Sequence, residues 1–285
     1  MTAVVTGYAS LDYALRLDRP PEPDRTATIL SRAEEFPRLG GSPAYVAAAM
    51  ASTGAPDIAP ITWVGDDPEG DRYRASIAAL GVSSEGVSAR PGRTPVCVLA
   101  YEPGGGCHCF YHPSLPEPLA LDARQRALVG DARLVCVTIG PEQATRETLA
   151  ILRPDATLVW AVKADRRAVP PDLAAALARR ADVVVSSRGE AAFVREAFAA
   201  APGARAARIE TRGGEGVAIL GDGGEIVVPA EPVGVGDATG AGDTFLGGFL
   251  AAWGDGDLRH AVERGVHAAG SLLKARARRE AIHVG

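Results

Sequence analysis

Short apolar runs alternate with helical patterns along most of the chain, and this rhythm predicts an α/β protein. Apolar runs of strand length occur at 3–7, 58–64, 134–139, 157–161 and 183–186. Helical patterns occupy 143–152, 172–180, 190–199, 244–253 and 257–276, and a β-meander is expected over 208–228. Because strands separated by helices connect through right-handed crossovers, the pattern predicts a mostly parallel central sheet.

Two separated segments depart from this rhythm. The first alternates around a cluster of prolines, and the second predicts a hairpin because strands at 94–101 and 107–111 flank Gly104-Gly105-Gly106. We expect the segments at about 13–35 and 90–113 to form a small β-sheet lid over a cleft. The whole chain, 1–285, is then one α/β domain. Ser42 before Pro43 is expected to cap the first helix.

A glycine-dense stretch carries the strongest chemical signal. Gly240, Ala241 and Gly242 stand where an apolar helix begins, so backbone amides and the helix dipole can converge on an anion there. Asp243 follows directly. Asp243 could be only a helix cap, a common role for Asp at a helix start. Alternatively, a carboxylate beside an anion site can accept a proton from an attacking hydroxyl. Asp237 in the same loop favours the chemical interpretation.

The amino-acid composition argues against several classes of protein. Hydrophobic residues make up 47% of the chain, and Lys+Arg 30 against Asp+Glu 35 gives a net charge of −5. These values argue against a disordered chain and against a nucleic-acid or membrane partner. The chain has only 4 Cys, and its N-terminus lacks the pattern of a signal peptide, so we expect a cytoplasmic protein. A P-loop motif is absent, and no Gly-x-Gly-x-x-Gly follows the first strand.

The stretch Asp237-Ala-Thr-Gly-Ala-Gly-Asp243 resembles the C-terminal signature of the PfkB (ribokinase-like) carbohydrate kinases. Further motifs of that family occur in the right order across nearly the whole chain. They are Gly7–Asp12, Gly40-Gly41-Ser-Pro-Ala, Val64-Gly65-Asp66-Asp67-Pro-Glu-Gly70 and Thr211-Arg-Gly-Gly-Glu-Gly216. The resemblance implies a three-layer α/β/α sandwich with a small β-sheet lid. It also implies ATP-dependent phosphorylation of a hydroxymethyl group on a sugar or a sugar-like molecule.

The resemblance implies roles for individual residues. Asp243 would be the catalytic base, and Gly240, Ala241 and Gly242 would form the anion hole with its amide. Acceptor-binding residues would be Asp12, Gly40, Gly41 and Tyr45, with Thr94 as a further candidate for the pocket wall. ATP would contact Ser187, Thr211, Arg212, Gly213, Gly216 and His267. Glu190 would help to place Mg²⁺ through water, since Mg²⁺ usually keeps several water ligands. A homodimer through the lid is also implied.

Three positions depart from the family pattern. Ser187 replaces the usual Asn before Glu190, and Tyr45 replaces an Asn that reads paired hydroxyls. The segment after Lys274 lacks the Gly-Ala turn associated with a monovalent-cation site. A nucleoside kinase of the same family is therefore an alternative, with Tyr45 stacking on the base. A non-catalytic sugar- or nucleotide-binding relative is another.

A zinc site at Cys107, His108, Cys109 and His112 is disfavoured. These residues lie on one expected strand, where neighbouring side chains point to opposite faces.

Overall fold

The computed structural model of the protein describes residues 3–54, 58–221, 223–233, 238–255 and 257–282. Its strands are β1 (Ala3–Thr6), β2 (Ser10–Leu17), β3 (Ile29–Arg32), β4 (Arg38–Gly40), β5 (Ile58–Gly65), β6 (Val87–Arg90), β7 (Val96–Tyr101), β8 (Cys107–His112), β9 (Leu134–Val137), β10 (Thr157–Ala161), β11 (Val183–Ser187), β12 (Ala207–Thr211), β13 (Val217–Gly221) and β14 (Gly224–Val228). Its helices are α1 (Ser42–Ser52), α2 (Pro68–Ala79), α3 (Ala123–Asp131), α4 (Glu142–Ile151), α5 (Pro171–Arg180), α6 (Ala191–Ala199), α7 (Ala241–Ala252) and α8 (Leu258–Ile282).

The larger of two sheets has nine strands in the order β14-β13-β12-β11-β10-β9-β1-β5-β6. All neighbours from β6 to β12 are parallel, and only β12, β13 and β14 pair antiparallel. The predicted mostly parallel sheet and its closing meander are confirmed. The chain builds outwards from β1 to β5 and β6 and then returns to β9 on the other side. The strand order therefore reverses between β1 and β9, and in open α/β sheets ligands bind at such a point.

Helices cover both faces of this sheet, which makes three layers. On one face, Val4, Trp63 and Trp160 belong to a core shared with α3, α4, α5 and α6. On the other, Val5, Ile209 and Val228 pack with α1, α2, α7 and α8. Because both faces are buried, the strands are apolar on both sides instead of alternating. The predicted three-layer sandwich is confirmed.

A second, five-stranded sheet is built from two distant parts of the chain. Its order is β3-β2-β7-β8, with β4 on the free part of β2. The predicted hairpin is β7 and β8, whose register pairs Val96 with His112 and Tyr101 with Cys107. The central pair, β2 and β7, is parallel. Only Gly7 to Ala9 separate β1 from β2, so this small sheet is rooted at the carboxyl end of β1, next to the reversal point.

The structure differs from the sequence-based predictions in several local details. Gly41, with φ 85°, is the N-cap of α1, and Ser42 is its first residue, so the predicted Ser cap is wrong. Asp67 caps α2, since its side chain accepts a hydrogen bond from the Gly70 amide at 2.8 Å. The sequence analysis did not predict helix α3, although Asp122 and Gln125 form a capping box at its start, or the short strands β4 and β6. Among the described residues, no helix is both long and apolar enough to span a membrane.

Candidate active site

The predicted base, Asp243, lies in the first turn of α7, above the carboxyl ends of the central strands. Three residues are close enough to interact electrostatically with its carboxylate: Cys136 on β9, Lys163 just after β10, and Asp12 on β2. These elements flank the point where the strand order reverses. The structure thus brings the catalytic candidate to the position where an open α/β sheet binds its ligands.

Asp12, the predicted acceptor anchor, is buried on β2. Its side chain is 4% exposed, and one carboxylate oxygen accepts the Ser10 hydroxyl at 2.6 Å. The other oxygen accepts the Tyr45 hydroxyl at 3.3 Å. The carboxylate lies directly on Gly40, where any β-carbon would collide with it. The predicted acceptor residues Asp12, Gly40 and Tyr45 therefore form one connected cluster, and Gly41 begins the helix that carries Tyr45.

The start of α7 lies against the same tyrosine. Gly240 is the N-cap and has left-handed backbone angles of φ 72° and ψ 3°. A β-carbon at this position would be 2.9 Å from Cδ1 of the Tyr45 ring. No side chain caps the helix, so its first amides are not satisfied by a capping group. The Ala241 amide donates to the Ala238 carbonyl at 3.1 Å. Within the described part of the chain, the amides of Gly242 and Asp243 are the ones that the predicted anion hole would use, and this role stays a prediction. Residues 234–237, including Asp237, lie outside the described residues.

The charge state of Asp243 follows from its surroundings. Burial raises the pKa of its half-buried carboxyl above the ordinary value of 3.8, and the nearby Asp12 carboxylate raises it further. A hydrogen bond from the Ser42 hydroxyl and the positive charge of Lys163 oppose this rise. A raised pKa improves a carboxylate as a proton acceptor, because basicity increases with pKa.

Tyr45 also has a displaced pKa. Burial raises the pKa of its hydroxyl above the ordinary value of 10.0, so the phenol is neutral and can donate to Asp12. The positive charges of Arg38 and Arg276 lower this pKa, whereas the negative charges of Asp12 and Asp243 raise it. Two cations and two carboxylates thus surround one neutral phenol, and Tyr45 stands between the acceptor side and the start of α7.

The predicted nucleotide residues gather at the neighbouring strand ends. Ser187 and Thr211 are register partners at the carboxyl ends of β11 and β12. Glu190 accepts hydrogen bonds from both the amide and the hydroxyl of Ser187, each at 2.8 Å and each to Oε2. The Glu190 side chain therefore has a capping role in this turn, and one of its two carboxylate oxygens makes both bonds.

The loop after β12 is held by ion pairs. Arg212 donates to Glu210 at 2.7 Å and binds Glu225 with two bonds of 2.9 and 2.6 Å. Its charge is thus matched within the β12–β14 meander. Gly213 and Gly216 have positive φ values of 58° and 97° and shape the turn between them. The predicted roles of Arg212 and these glycines toward ATP stay predictions.

His267 lines a groove of about 770 Å³ between α1, α7 and α8, together with Tyr45. Its charge also acts on Glu231, whose pKa is lowered chiefly by Lys274 and further by His267. Residues 228–230, next to Glu231, lie against Gly216 of the loop after β12. No residue from 211–216 lines the groove itself. The predicted contact of His267 with the nucleotide stays a prediction.

Thr94 makes three hydrogen bonds inside the fold. Its hydroxyl donates to Asp67 at 2.5 Å and accepts the Gly65 amide at 3.1 Å, and its own amide donates to Asp67 at 2.9 Å. These bonds lower the pKa of Asp67 below its ordinary value. Thr94 thus anchors the α2 cap, and its predicted contact with the acceptor stays untested.

The cysteines of the small sheet are placed as free thiols. Cys97 and Cys109 have their sulfur atoms 3.3 Å apart across β7 and β8. Among the described residues, no group of three or more His, Cys, Asp or Glu side chains is arranged to hold a metal ion.

Four polar residues in the cleft were missed by the sequence analysis. Ser10 and Ser42 bind the two carboxylates, Arg38 is the register partner of Asp12, and Lys163 acts on Asp243. Only Lys163 had a usable signal, since it follows directly on the apolar run 157–161 at a strand's carboxyl end. The others are ordinary residues whose proximity depends on the small sheet.

Comparisons with known proteins agree with this geometry. The model of the pfkB family of carbohydrate kinases matches residues 3–281. An ATP-dependent ribose-1-phosphate kinase of Halopiger xanaduensis is 30% identical over 274 residues, which cover 95% of this chain and 90% of that protein. The nucleoside kinase of Methanocaldococcus jannaschii, an archaeal ribokinase-family member, has a TM-score of 0.76 at 18% identity and covers 96% and 91% of the two chains. The ADP complex of Cryptococcus neoformans ribokinase has a TM-score of 0.76 at 21% identity, with 94% and 92% covered. At such identities the two structures show a shared fold.

Proposed function

Since this chain belongs to the pfkB family of carbohydrate kinases and is a sugar or nucleoside kinase, we propose that Asp243 is its catalytic base and Asp12 its acceptor anchor. The observation that carries the proposal is a continuous arrangement. Asp12 binds the Tyr45 hydroxyl, the Tyr45 ring lies on Gly240, and Gly240 begins the helix that bears Asp243. One molecule in this cleft can thus meet an anchor, a base and an anion-binding helix start.

The proposed reaction is transfer of the γ-phosphate of ATP to an acceptor hydroxyl. Asp12 accepts hydrogen bonds from acceptor hydroxyls and orients a hydroxymethyl group towards Asp243, which takes its proton as the oxygen attacks phosphorus. The amides of Gly242 and Asp243 stabilise the charge on the transferred group. Lys163 keeps enough Asp243 ionised for proton transfer, because its positive charge opposes the effect of burial.

ATP and Mg²⁺ are the proposed cofactors. Mg²⁺ requires oxygen donors, and the Glu190 carboxylate, which follows β11 and is fixed by its bonds to Ser187, would supply one on the nucleotide side. Glu190 is buried and already bonded to Ser187, which suits a role through water instead of direct ligation. The ion, when bound, neutralises phosphate charge during transfer.

We propose a phosphorylated pentose as the acceptor. The Halopiger relative acts on ribose 1-phosphate and is aligned over nearly the full length of both chains. Tyr45 supports an acceptor that differs from a free pentose, because its phenol is fixed by Asp12 and Gly240 and does not offer the paired groups of an amide. A panel of pentoses, pentose phosphates and nucleosides in a coupled ADP-release assay tests this choice.

The decisive experiment on the base is Asp243→Asn. We expect turnover to fall by about 100-fold or more, with ATP affinity measured by calorimetry nearly unchanged, because the amide cannot take the proton. Asp257→Asn is the matched control: Asp257 also lies at a helix start and accepts the His260 amide, but it is exposed. An Asp243→Asn enzyme that keeps most of its turnover contradicts the assigned role.

The assembly and location of the protein are also proposals. The small sheet and its neighbours expose large apolar side chains, including Ile29 (54%), Leu30 (62%) and Phe110 (59%). A homodimer through this sheet would cover them, and a monomeric mass in light scattering would contradict it. Four free cysteines are compatible with a reducing, cytoplasmic environment.

A further inference from the structure

We propose that Cys97 and Cys109 form a redox-sensitive modification site, which hydrogen peroxide closes to a disulfide and which then weakens acceptor binding. The inference rests on the proposed kinase function and adds a control of its acceptor side. The two sulfur atoms already lie 3.3 Å apart, in contact across β7 and β8. Sulfur atoms in a disulfide are about 2.05 Å apart, so the gap has to close by only about 1.2 Å.

The register of the hairpin explains why these two thiols meet. Cys97 is opposite Tyr111, and Cys109 is opposite Leu99. The two cysteines are therefore diagonal neighbours on adjacent strands. Because side chains alternate along a strand and opposite residues share a side, both thiols project to the same side of the small sheet.

The two thiols differ in their access to solvent, and this difference sets the order of the chemistry. Cys109 is exposed, whereas Cys97 is buried, and burial raises the pKa of the Cys97 thiol. Peroxide therefore reacts first at Cys109: the O–O bond breaks, and a sulfenic acid and one water form. Cys97 then attacks the sulfenic sulfur. The S–S bond forms as the S–O bond breaks, and the hydroxyl group leaves with the Cys97 proton as a second water, so that two thiols are oxidised and one peroxide is reduced.

The pair lies next to the proposed acceptor anchor. Cys97 is the register partner of Asp12 in the parallel pairing of β2 and β7, and the Asp12 charge acts on the Cys97 thiol. Asp12 accepts hydrogen bonds of 2.6 Å from Ser10 and 3.3 Å from Tyr45, and the second is already at the long end of hydrogen bonding. Closing the disulfide draws β7 and β8 together at the residue beside Asp12. The carboxylate then shifts relative to Tyr45, and the anchor loses the arrangement that holds the acceptor.

Cys107 provides the matched control. It lies on β8 with Cys109 and is exposed as well, but it is opposite Tyr101, at the far end of β7 from Cys97. If peroxide acted merely on an exposed thiol of this strand, Cys107→Ser and Cys109→Ser would have similar effects. The proposed pair predicts that only Cys109→Ser removes the response.

The test treats the wild type, Cys107→Ser and Cys109→Ser with hydrogen peroxide and measures ADP release with the best acceptor of the panel and the Kd of ribose 1-phosphate by calorimetry. After free thiols are blocked, chymotryptic cleavage at Tyr101 separates Cys97 from Cys109, so their disulfide joins two peptides in a mass spectrum recorded without reductant. We expect the joined peptides in the wild type and in Cys107→Ser, with the acceptor KM raised on the order of 10-fold, about the loss of one hydrogen bond to a charged group. Dithiothreitol should reverse both effects, and Cys109→Ser should show neither.

Three results would overturn the proposal while the kinase function stands. They are the absence of the joined peptides from the oxidised wild type, a disulfide that leaves the acceptor KM and the Kd of ribose 1-phosphate unchanged, and a Cys109→Ser enzyme that responds to peroxide like the wild type. If the reduced wild type phosphorylates no acceptor in the panel, the proposed function fails. The Kd of ribose 1-phosphate for the reduced and oxidised protein then still decides the role of the pair, and equal or undetectable binding in both states counts against it.

Discussion

Replacing Gly240 with Ala tests the contact between the start of α7 and Tyr45. Two costs follow from the structure. The first is conformational: a residue with a β-carbon loses about 1–2 kcal/mol in left-handed angles such as the φ 72° found here. The second is steric, because the new carbon would be 2.9 Å from Cδ1 of Tyr45. Carbon atoms prefer separations of about 3.5–4.0 Å, so the ring must move by roughly 0.6 Å or more.

That movement has a direct consequence for acceptor binding. The Tyr45 hydroxyl is 3.3 Å from Asp12, already at the long end of hydrogen bonding, and a shift of this size breaks the bond. A hydrogen bond to a charged group contributes about 1.5–3 kcal/mol. If the acceptor depends on this arrangement, kcat/KM for the acceptor falls by about 10- to 150-fold.

Gly81→Ala separates the two costs. Gly81 has φ 73° at the end of α2, and a β-carbon there would have no neighbour within 4 Å. Gly81→Ala should lose about 1–2 kcal/mol of folding stability in urea unfolding, and Gly240→Ala should lose more because it also carries the steric cost. Only Gly240→Ala should lose activity. A kcat/KM of Gly240→Ala within about twofold of Gly81→Ala would refute the coupling of Tyr45 to the helix start.

Three further predictions concern single contacts. In a plot of kcat/KM against pH, activity should fall on the acidic side at a pH above the ordinary Asp pKa of 3.8, because protonated Asp243 is inactive and burial raises its pKa. Lys163→Met should move this fall to higher pH, because it removes a positive charge that lowers the Asp243 pKa. The exposed Arg166→Met is the control. Thr94→Val should lower the free energy of unfolding in urea by about 1–3 kcal/mol, because it removes the hydrogen bonds of the hydroxyl with Asp67 and Gly65. A raised KM for the acceptor without loss of stability would instead indicate a substrate contact. Arg212→Met should lower the melting temperature because Glu210 and Glu225 in the β12–β14 meander lose their partner, and an unchanged melting temperature would contradict this.

The sequence was sufficient for most of the large sheet because its central strands are buried on both faces. Runs such as 134–137 and 158–161 are apolar at every position, and Asp67 before Pro68 marks a helix start through local chemistry alone. Short elements such as β4 and β6 have three and four residues, too few to show a period. Their formation depends on partners distant in the chain, as in the pairing of Arg38 with Asp12.

The site was predictable to the extent that glycine marks it. Gly40 and Gly240 are required by close approach, so their positions indicated the tight packing against Asp12 and the start of α7. The roles of Thr94 and His267 were harder to foresee. A threonine hydroxyl serves equally well in a turn and in a pocket, and the face on which a helical histidine lies is set by how α8 packs.

The two carboxylates of the cleft belong to different parts of the molecule. Asp12 is carried by β2 of the small sheet, and Asp243 by a helix packed on the large one, with Gly7 to Ala9 as the direct link from β1. Any rotation about that link changes the gap between anchor and base. In the reaction proposed above, the acceptor would therefore act as a spacer: a molecule of matching length would bring its hydroxyl to Asp243 while bound to Asp12, and a shorter one would reach only one of the two carboxylates.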